Sequence, residues 1–221
     1  MKLIDSKTDL SVQVHPNDTY ALKNENQFGK TEMWHILNAE PGAGIYLGFK
    51  RDTSEKEVRE AVLSHTIVSL LNFIPVKKGD TFFVPSGTVH AIGGGITLIE
   101  IQQNSTLTYR LYDYGRIGKD GKPRELHLEK ALNVISYSKY KPPIFVSPIL
   151  GECSYFRVKE MDVINEFLFA PSYSFLSFTV ISGNGKFASI PFQQGDTFFL
   201  PASKKAFLEG KAKIVTIVVP F

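Results

Sequence analysis

The sequence predicts an all-β protein of two β-barrels, with a small helical insertion and a helical connector. Most of its 221 residues form short runs of Val, Ile, Phe and Thr separated by Gly, Pro and Asn turns, which is typical of barrels and sandwiches. One such stretch, residues 79–93, predicts two strands joined by a turn at Pro85 and Gly87. Its first half, KGDTFFVP at residues 78–85, recurs as QGDTFFLP at residues 194–201, which indicates a duplicated barrel hairpin.

The composition is that of a globular protein and argues against several functional classes. A hydrophobic content of 43% is enough for a substantial core. The 25 basic and 22 acidic residues are scattered along the chain, so a nucleic-acid partner is not indicated. A single cysteine excludes an intrachain disulfide, and the first residues lack the apolar core of a signal peptide, so we expect a cytoplasmic protein. We expect that the chain is not an integral membrane protein, because no stretch approaches the roughly 20 apolar residues that are needed to span a bilayer.

The duplicated hairpin predicts two domains with different roles. The predicted segments are a first barrel at residues 1–124, a helical connector at residues 125–139 and a second barrel at residues 140–221. The first barrel carries the helical insertion near residues 54–72, where Ser54 and Glu57 have the spacing of a capping box. In the register of the repeat His90 corresponds to Ala206, so the second barrel is expected to be degenerate and to lack metal ligands.

His90 is the residue that the first hairpin is expected to direct into its barrel. The spacing G-x5-P-x-G-x2-H over residues 79–90 resembles the second histidine motif of the cupin superfamily. In that superfamily this histidine binds a metal inside a small β-barrel. The resemblance implies that both predicted barrels are cupin-type jelly rolls, and that the first one binds metal.

Further candidate ligands lie on two strands upstream of His90. Residues 10–15 alternate strictly, so period-two geometry places Gln13 and His15 on one face. On the strand that follows Gly29, Lys30 and Glu32 share a face, and the residues alone leave a surface lysine and a solvated strand glutamate as the alternatives. Two imidazoles, a carboxylate and an amide oxygen suit Zn²⁺, with a water or sugar oxygen completing the shell. The predicted ligands of one zinc ion per chain are Gln13, His15, Glu32 and His90.

The other three histidines are assigned structural roles. His35 falls on the strand face opposite Glu32, and His65 and His127 lie in or near the predicted helices.

Two more charged residues follow the His90 hairpin. Glu100 lies on the strand face opposite the apolar packing layer formed by its neighbours. Burying a carboxylate costs free energy unless it is paired, so a carboxylate that points into the barrel is expected to have a specific role. Arg110 lies among tyrosines, where a guanidinium could be held against aromatic faces while it meets a phosphate or a developing oxyanion. The residues alone leave an exposed strand arginine as the alternative.

Four segments, in order, resemble signatures of the type I mannose-6-phosphate isomerases, especially their short bacterial form. The segments are residues 11–16, 29–32, 84–92 and 100–114. The resemblance implies that Gln13, His15, Glu32 and His90 hold zinc and that Lys30, Glu100 and Arg110 line a sugar-phosphate pocket. The implied reaction interconverts mannose 6-phosphate and fructose 6-phosphate through an enediol-type intermediate. Arg110 would stabilise the developing negative charge, while either Lys30 or Glu100 would act as the base.

The chain departs from this family at its N-terminus, where only nine residues precede Leu10. Family members carry many more, so we expect barrel strands to be missing, whether the chain is naturally shortened or a fragment. An unpaired sheet edge would favour a homodimer.

Two other functions compete with the isomerase. One is a non-catalytic cupin that binds metal and sugar phosphate, and the presence of Lys30, Glu100 and Arg110 together counts against it. The other is an Fe(II) oxygenase with a facial triad of two histidines and a carboxylate, and Gln13 as a fourth ligand counts against that.

Overall fold

The computed structural model describes residues 1–118 and 121–220. The chain divides into two compact units, Met1–Pro143 and Ile144–Phe221. Our finer division into barrel, connector and second barrel stays a prediction.

Within its described residues, the first unit contains nine strands in two antiparallel sheets. The strands are β1 (Lys2–Ser6), β2 (Val12–Val14), β3 (Glu32–Ala39), β4 (Gly44–Phe49), β5 (Leu71–Pro75), β6 (Thr81–Val84), β7 (His90–Ile92), β8 (Ile96–Gln102) and β9 (Tyr109–Tyr112). One sheet has the order β1-β8-β3-β6 and the other has the order β5-β4-β7-β2-β9. Side chains from both sheets, among them Trp34 and Leu98 from the first and Ile45 and Leu47 from the second, share one hydrophobic core. The core therefore lies between the two sheets.

The described part of this unit also contains three α-helices and one 3-10 helix. The α-helices are α1 (Asp18–Glu25), α2 (Glu55–Leu63) and α3 (Leu128–Leu132), and the 3-10 helix is Ile67–Leu70. Val12 and Val14 of β2 pack with buried residues of α2 and α3, so these helices cover the outer face of the five-stranded sheet. None of the helices in the described residues has both the length and the apolar character needed to cross a bilayer.

Both predicted helical segments contain a helix, but the second helix is shorter than predicted. Helix α2 begins as predicted, because the Ser54 hydroxyl accepts the Glu57 N–H at 3.2 Å. Helix α3 is much shorter than the predicted helical connector. Its flanks instead bond to the barrel, since the His127 N–H donates to the Arg110 carbonyl and the Ser136 N–H donates to the Gly87 carbonyl. These tertiary hydrogen bonds override the helical periodicity at both ends.

The second unit is one antiparallel sheet that curls back on itself. Its strands are β10 (Ile149–Glu152), β11 (Arg157–Phe169), β12 (Leu176–Phe187), β13 (Ile190–Phe192), β14 (Thr197–Leu200) and β15 (Ala206–Val218). The order is β10-β11-β15-β12-β13, with β14 also paired to β12. Phe178 and Phe187 both lie on β12, where an extended strand would separate them by about 30 Å. Their ring centroids are 4.9 Å apart, so β12 bends sharply between them.

The duplicated hairpin turn has the same hydrogen bonds in both units. The Asp80 carboxylate accepts the Lys77 N–H at 2.9 Å, and the Asp196 carboxylate accepts the Gln193 N–H at 2.8 Å. Each turn leads into a strand of four residues, β6 in the first unit and β14 in the second. The repeat in the sequence is therefore a repeat in structure.

The predicted correspondence of His90 with Ala206 also holds through the following loop. Gly87 and Ser203 both have positive φ angles, of 83° and 63°. His90 then begins β7 and Ala206 begins β15. A buried alanine thus stands in the second unit where the first unit has a buried histidine.

The bend in β12 gives a prediction about stability. Gly183 has a φ of +95°, and a Cβ there would overlap the carbonyl oxygen of Lys211 on β15. Gly195 has a φ of +94°, but a Cβ there would meet nothing within 4 Å. We expect G195A to lower the free energy of unfolding by about 1–2 kcal/mol through backbone strain alone. G183A adds a steric clash, so we expect a loss of about 3 kcal/mol or more.

Urea unfolding of the two glycine variants measures this difference directly. Equal losses for G183A and G195A would show that the close approach of β12 and β15 at Gly183 does not exist in solution.

Candidate metal centre

Three of the predicted ligands meet between the two sheets of the first unit. His15 follows β2, Glu32 begins β3 in the opposite sheet, and His90 begins β7. One ligand atom from each residue lies within 4.8 Å of the others. The three side chains are 2%, 0% and 1% exposed. The fold therefore assembles a buried cluster from distant parts of the chain.

Both histidines present their Nε2 atoms to this cluster. Nδ1 of His15 lies 2.9 Å from the Leu107 carbonyl oxygen, and Nδ1 of His90 lies 2.8 Å from the Thr88 carbonyl oxygen. A carbonyl oxygen can only accept, so each Nδ1 carries the proton that it donates. In the neutral rings the Nε2 lone pairs therefore face Glu32. This is the usual arrangement of metal-binding histidines.

The carboxylate of Glu32 lies between the two rings. Its Oε1 atom is 3.3 Å from His90 Nε2, and its Oε2 atom is 3.5 Å from His15 Nε2. Both oxygens are buried; Oε2 forms an ion pair with Lys30, while Oε1 has no hydrogen-bond partner among the described residues. Tetrahedral zinc with bonds of about 2.0–2.2 Å sets its ligand atoms roughly 3.4 Å apart. The donor set and its spacing fit a divalent transition metal.

Electrostatics hold His90 and Glu32 in the protonation states that metal binding requires. Burial lowers the pKa of His90 to about 4, although Glu32 opposes this shift. Burial alone would raise the pKa of Glu32, but the interactions with His15, His90 and Lys30 outweigh it and hold that pKa below the usual range. Near pH 7 His90 is neutral and Glu32 is an anion.

Gln13 reaches the same cluster. It pairs with His90 across β2 and β7, and its amide Nε2 lies 3.3 Å from His90 Nε2. A half-turn of the amide group exchanges its nitrogen and oxygen, so either end can face the cluster.

Lys30 and Glu100 extend the cluster into a buried row of charges. Nζ of Lys30 lies 2.6 Å from Glu32 Oε2 and 3.3 Å from His15 Nε2. The same atom is 3.7 Å from Glu100 Oε1. The side chains of Lys30 and Glu100 are only 6% and 5% exposed. The structure thus brings both predicted candidate bases next to the proposed ligands.

Lys2, whose side chain is 53% exposed, is a further charge next to this row that sequence reasoning missed. Its Nζ atom lies 3.1 Å from Glu100 Oε1 and 2.7 Å from Gln102 Oε1. Strand β1 pairs with β8 so that Lys2 stands opposite Glu100. Five residues near a chain end carry too little periodicity to reveal this pairing, so the sequence offered no usable signal.

Arg110 lies beside the cluster with its charge uncompensated. It pairs with Gln13 across β9 and β2, and its Nη1 donates to the Glu125 carbonyl oxygen at 2.9 Å. Its Nε is buried without a hydrogen-bond partner, and no described carboxylate forms an ion pair with it. Burial, and then repulsion from Arg124, lowers the pKa of Arg110. By contrast, Arg116 and Arg124 both bind Asp113.

One detail of the Arg110 prediction is wrong. Among the described residues, the arginine that lies over a tyrosine ring is Arg116, at 5.4 Å from the Tyr114 centroid. Arg110 is held instead by the backbone of the segment that follows β9.

Comparisons with known proteins agree on one family. A family model described as the cupin domain of mannose-6-phosphate isomerase matches residues 149–219. The mannose-6-phosphate isomerase ManA of Bacillus subtilis is 42% identical over 97% of this chain and 72% of its own length. A mannose-6-phosphate isomerase of Streptococcus mutans is 35% identical, with 97% of this chain and 72% of its own length matched.

A solved structure gives the same result. The crystal structure of the mannose 6-phosphate isomerase from Bacillus subtilis superposes with a TM-score of 0.88 at 35% identity. The match covers 97% of this chain and 73% of that one. The predicted all-β, cupin-type fold is confirmed.

Proposed function

We propose that this chain, which belongs to the mannose-6-phosphate isomerase family, interconverts mannose 6-phosphate and fructose 6-phosphate in a zinc-dependent reaction. The observation that carries this proposal is the contact between two buried groups of residues. The cluster of His15, Glu32 and His90 directly touches Lys30, which in turn lies beside Glu100. A metal-binding function alone would not need the buried Lys30 and Glu100 at this distance.

Gln13, His15, Glu32 and His90 would hold the zinc ion. When bound, zinc supplies a Lewis acid that polarises the oxygens of the sugar. The Oε1 atom of Glu32 supports this assignment, because it is buried beside His90 without a hydrogen-bond partner among the described residues, while Lys30 contacts only Oε2.

We assign proton transfer to Lys30 and Glu100. The reaction requires a proton to leave C2 of the aldose and return to C1, while a second proton moves from the oxygen on C2 to the oxygen on C1. A base and an acid that lie on the same side of the metal centre suit this exchange. Nζ of Lys30 and Oε1 of Glu100 lie 3.7 Å apart, and their side chains are only 6% and 5% exposed, which supports this assignment. Burial also excludes solvent that would compete for these protons.

Arg110 would stabilise the negative charge that develops on the sugar oxygens as the C2 proton leaves. Its guanidinium is partly desolvated and forms no ion pair with a carboxylate among the described residues, so no ion pair competes with an incoming anion. Fixed positive charges in a desolvated site stabilise such transition states strongly.

The predicted homodimer and the cytoplasmic location stay predictions.

A coupled assay for fructose 6-phosphate tests the proposed function. We expect the zinc-loaded chain to form fructose 6-phosphate from mannose 6-phosphate, and the same chain after chelator treatment to lose this activity. Restoring zinc should restore turnover. Stoichiometric zinc without turnover would contradict the isomerase proposal and favour a binding module instead.

A further inference from the structure

The outer edge of β9 is bonded to a short segment rather than to another strand. β9 ends the five-stranded sheet and pairs with β2 on its inner side. On its outer side the Arg110 N–H donates to Nδ1 of His127 at 3.2 Å, and the His127 N–H donates to the Arg110 carbonyl at 2.7 Å. The imidazole of His127 therefore takes the place that a carbonyl of a neighbouring strand would occupy.

This edge bonding determines where the Arg110 side chain lies. Both main-chain polar groups of Arg110 point away from β2, so its pairing with Gln13 is of the non-hydrogen-bonded kind. Side chains approach each other most closely in such pairs. The Arg110 side chain is thereby held next to Gln13, at the margin of the metal centre.

The same segment also holds the guanidinium. Nη1 of Arg110 donates to the carbonyl oxygen of Glu125, two residues before His127. A carbonyl oxygen carries no full charge, so this bond orients the guanidinium without neutralising it. Three hydrogen bonds between Arg110 and residues 125–127 thus hold both its main chain and its guanidinium.

The bond from the Arg110 N–H requires a lone pair on Nδ1 of His127. Burial lowers the pKa of His127, which favours the neutral ring near pH 7. The charged groups that face it are Glu125, Arg110, Lys130 and Glu25. Its Nε2 lies 3.8 Å from the Glu125 carboxylate, consistent with a proton on Nε2 and a lone pair on Nδ1.

We propose that His127 is a positioning residue for Arg110, acting through the hydrogen bond from the Arg110 main chain to its Nδ1 atom. This inference rests on the proposed function for the role of Arg110 in turnover. It extends the sequence analysis, which gave His127 only a structural role. A purely structural residue would affect the stability of the whole fold, whereas His127 is expected to affect the reaction only through Arg110.

A set of variants separates positioning from general stability. H127N keeps an acceptor close to the Nδ1 position, whereas H127F keeps the size of the ring and removes the acceptor. We expect H127F to lower kcat by roughly 10- to 100-fold with little change in KM and unchanged zinc content, because small displacements of a catalytic group have effects of this size. H127N should stay within about threefold of the parent.

The decisive comparison is made in the background of R110A. If His127 acts only through Arg110, R110A and the double variant R110A/H127F should have equal kcat values. A further loss of tenfold or more in the double variant would overturn the proposal, since His127 would then act elsewhere. Should H127F fail to fold, H127A replaces it in the same cycle.

Hydrogen exchange at the Arg110 amide gives a readout that does not depend on activity. In the zinc-loaded chain we expect this amide to exchange at least about tenfold faster in H127F than in H127N. Equal exchange in the two variants would overturn the proposal. If the chain shows no isomerase turnover at all, the proposed function fails, while this exchange comparison still decides whether His127 holds Arg110.

Discussion

His90→Ala is expected to abolish stoichiometric zinc binding and isomerase turnover while leaving the barrel folded. Structural zinc sites release about 10–16 kcal/mol across their ligands, so losing one of four should weaken binding by two to three orders of magnitude. The fold should tolerate the change because Ala206 occupies the corresponding position of the second unit, buried and at the start of a strand. Zinc per chain after dialysis, measured by atomic emission, gives the binding result.

A histidine outside the centre provides the matched control for H90A. His65 has a φ of 60°, which asparagine tolerates, and it is not among the clustered ligands. H65N should therefore keep full zinc content and activity. Circular dichroism checks that both variants are folded. An unchanged zinc content in H90A would remove His90 from the site.

Arg110→Ala is expected to retain zinc and lose turnover. The hydrogen bonds formed by the Arg110 side chain go to the Glu125 backbone and not to any proposed ligand, so the metal centre should remain intact. Removing one group that stabilises a developing oxyanion typically lowers kcat by about 10²–10³-fold. We expect a loss of that size in kcat, measured by the coupled assay at saturating mannose 6-phosphate.

An exposed arginine serves as the control for R110A. Arg51 pairs with Glu57 on the surface of the first unit, and R51A should leave kcat unchanged. R110K should recover only part of the activity, because an ammonium lacks the planar fork of the guanidinium. Full activity in R110A would exclude Arg110 from the mechanism.

The candidate ligands could be predicted from sequence because local geometry determines where they point. Strict alternation in the strand of Gln13 and His15 separates one face from the other whatever the rest of the fold does. The turn before His90 has its own glycine and proline signals, and the second unit repeats that turn without the ligand. Such features need no knowledge of distant contacts.

Other features depend on contacts between distant parts of the chain. The place of Lys2 beside Glu100 follows from the register of β1 on β8, which short strands do not encode. Helix α3 is shortened because hydrogen bonds to Arg110 and Gly87 replace helical ones at its ends. The role inferred for His127 arises from the same bonds. Sequence periodicity predicts neither the register of two distant strands nor hydrogen bonds between distant segments.

Titrating zinc into the metal-free chain while measuring turnover tests the central claim most directly. Trp34, the single tryptophan, has its ring centroid 5.4 Å from that of His90, so its fluorescence reports occupancy in the same experiment. We predict that kcat and the fluorescence change rise together and stop at one zinc per chain. Turnover that persists without zinc, or a chain saturated with zinc that does not turn over, would contradict the account.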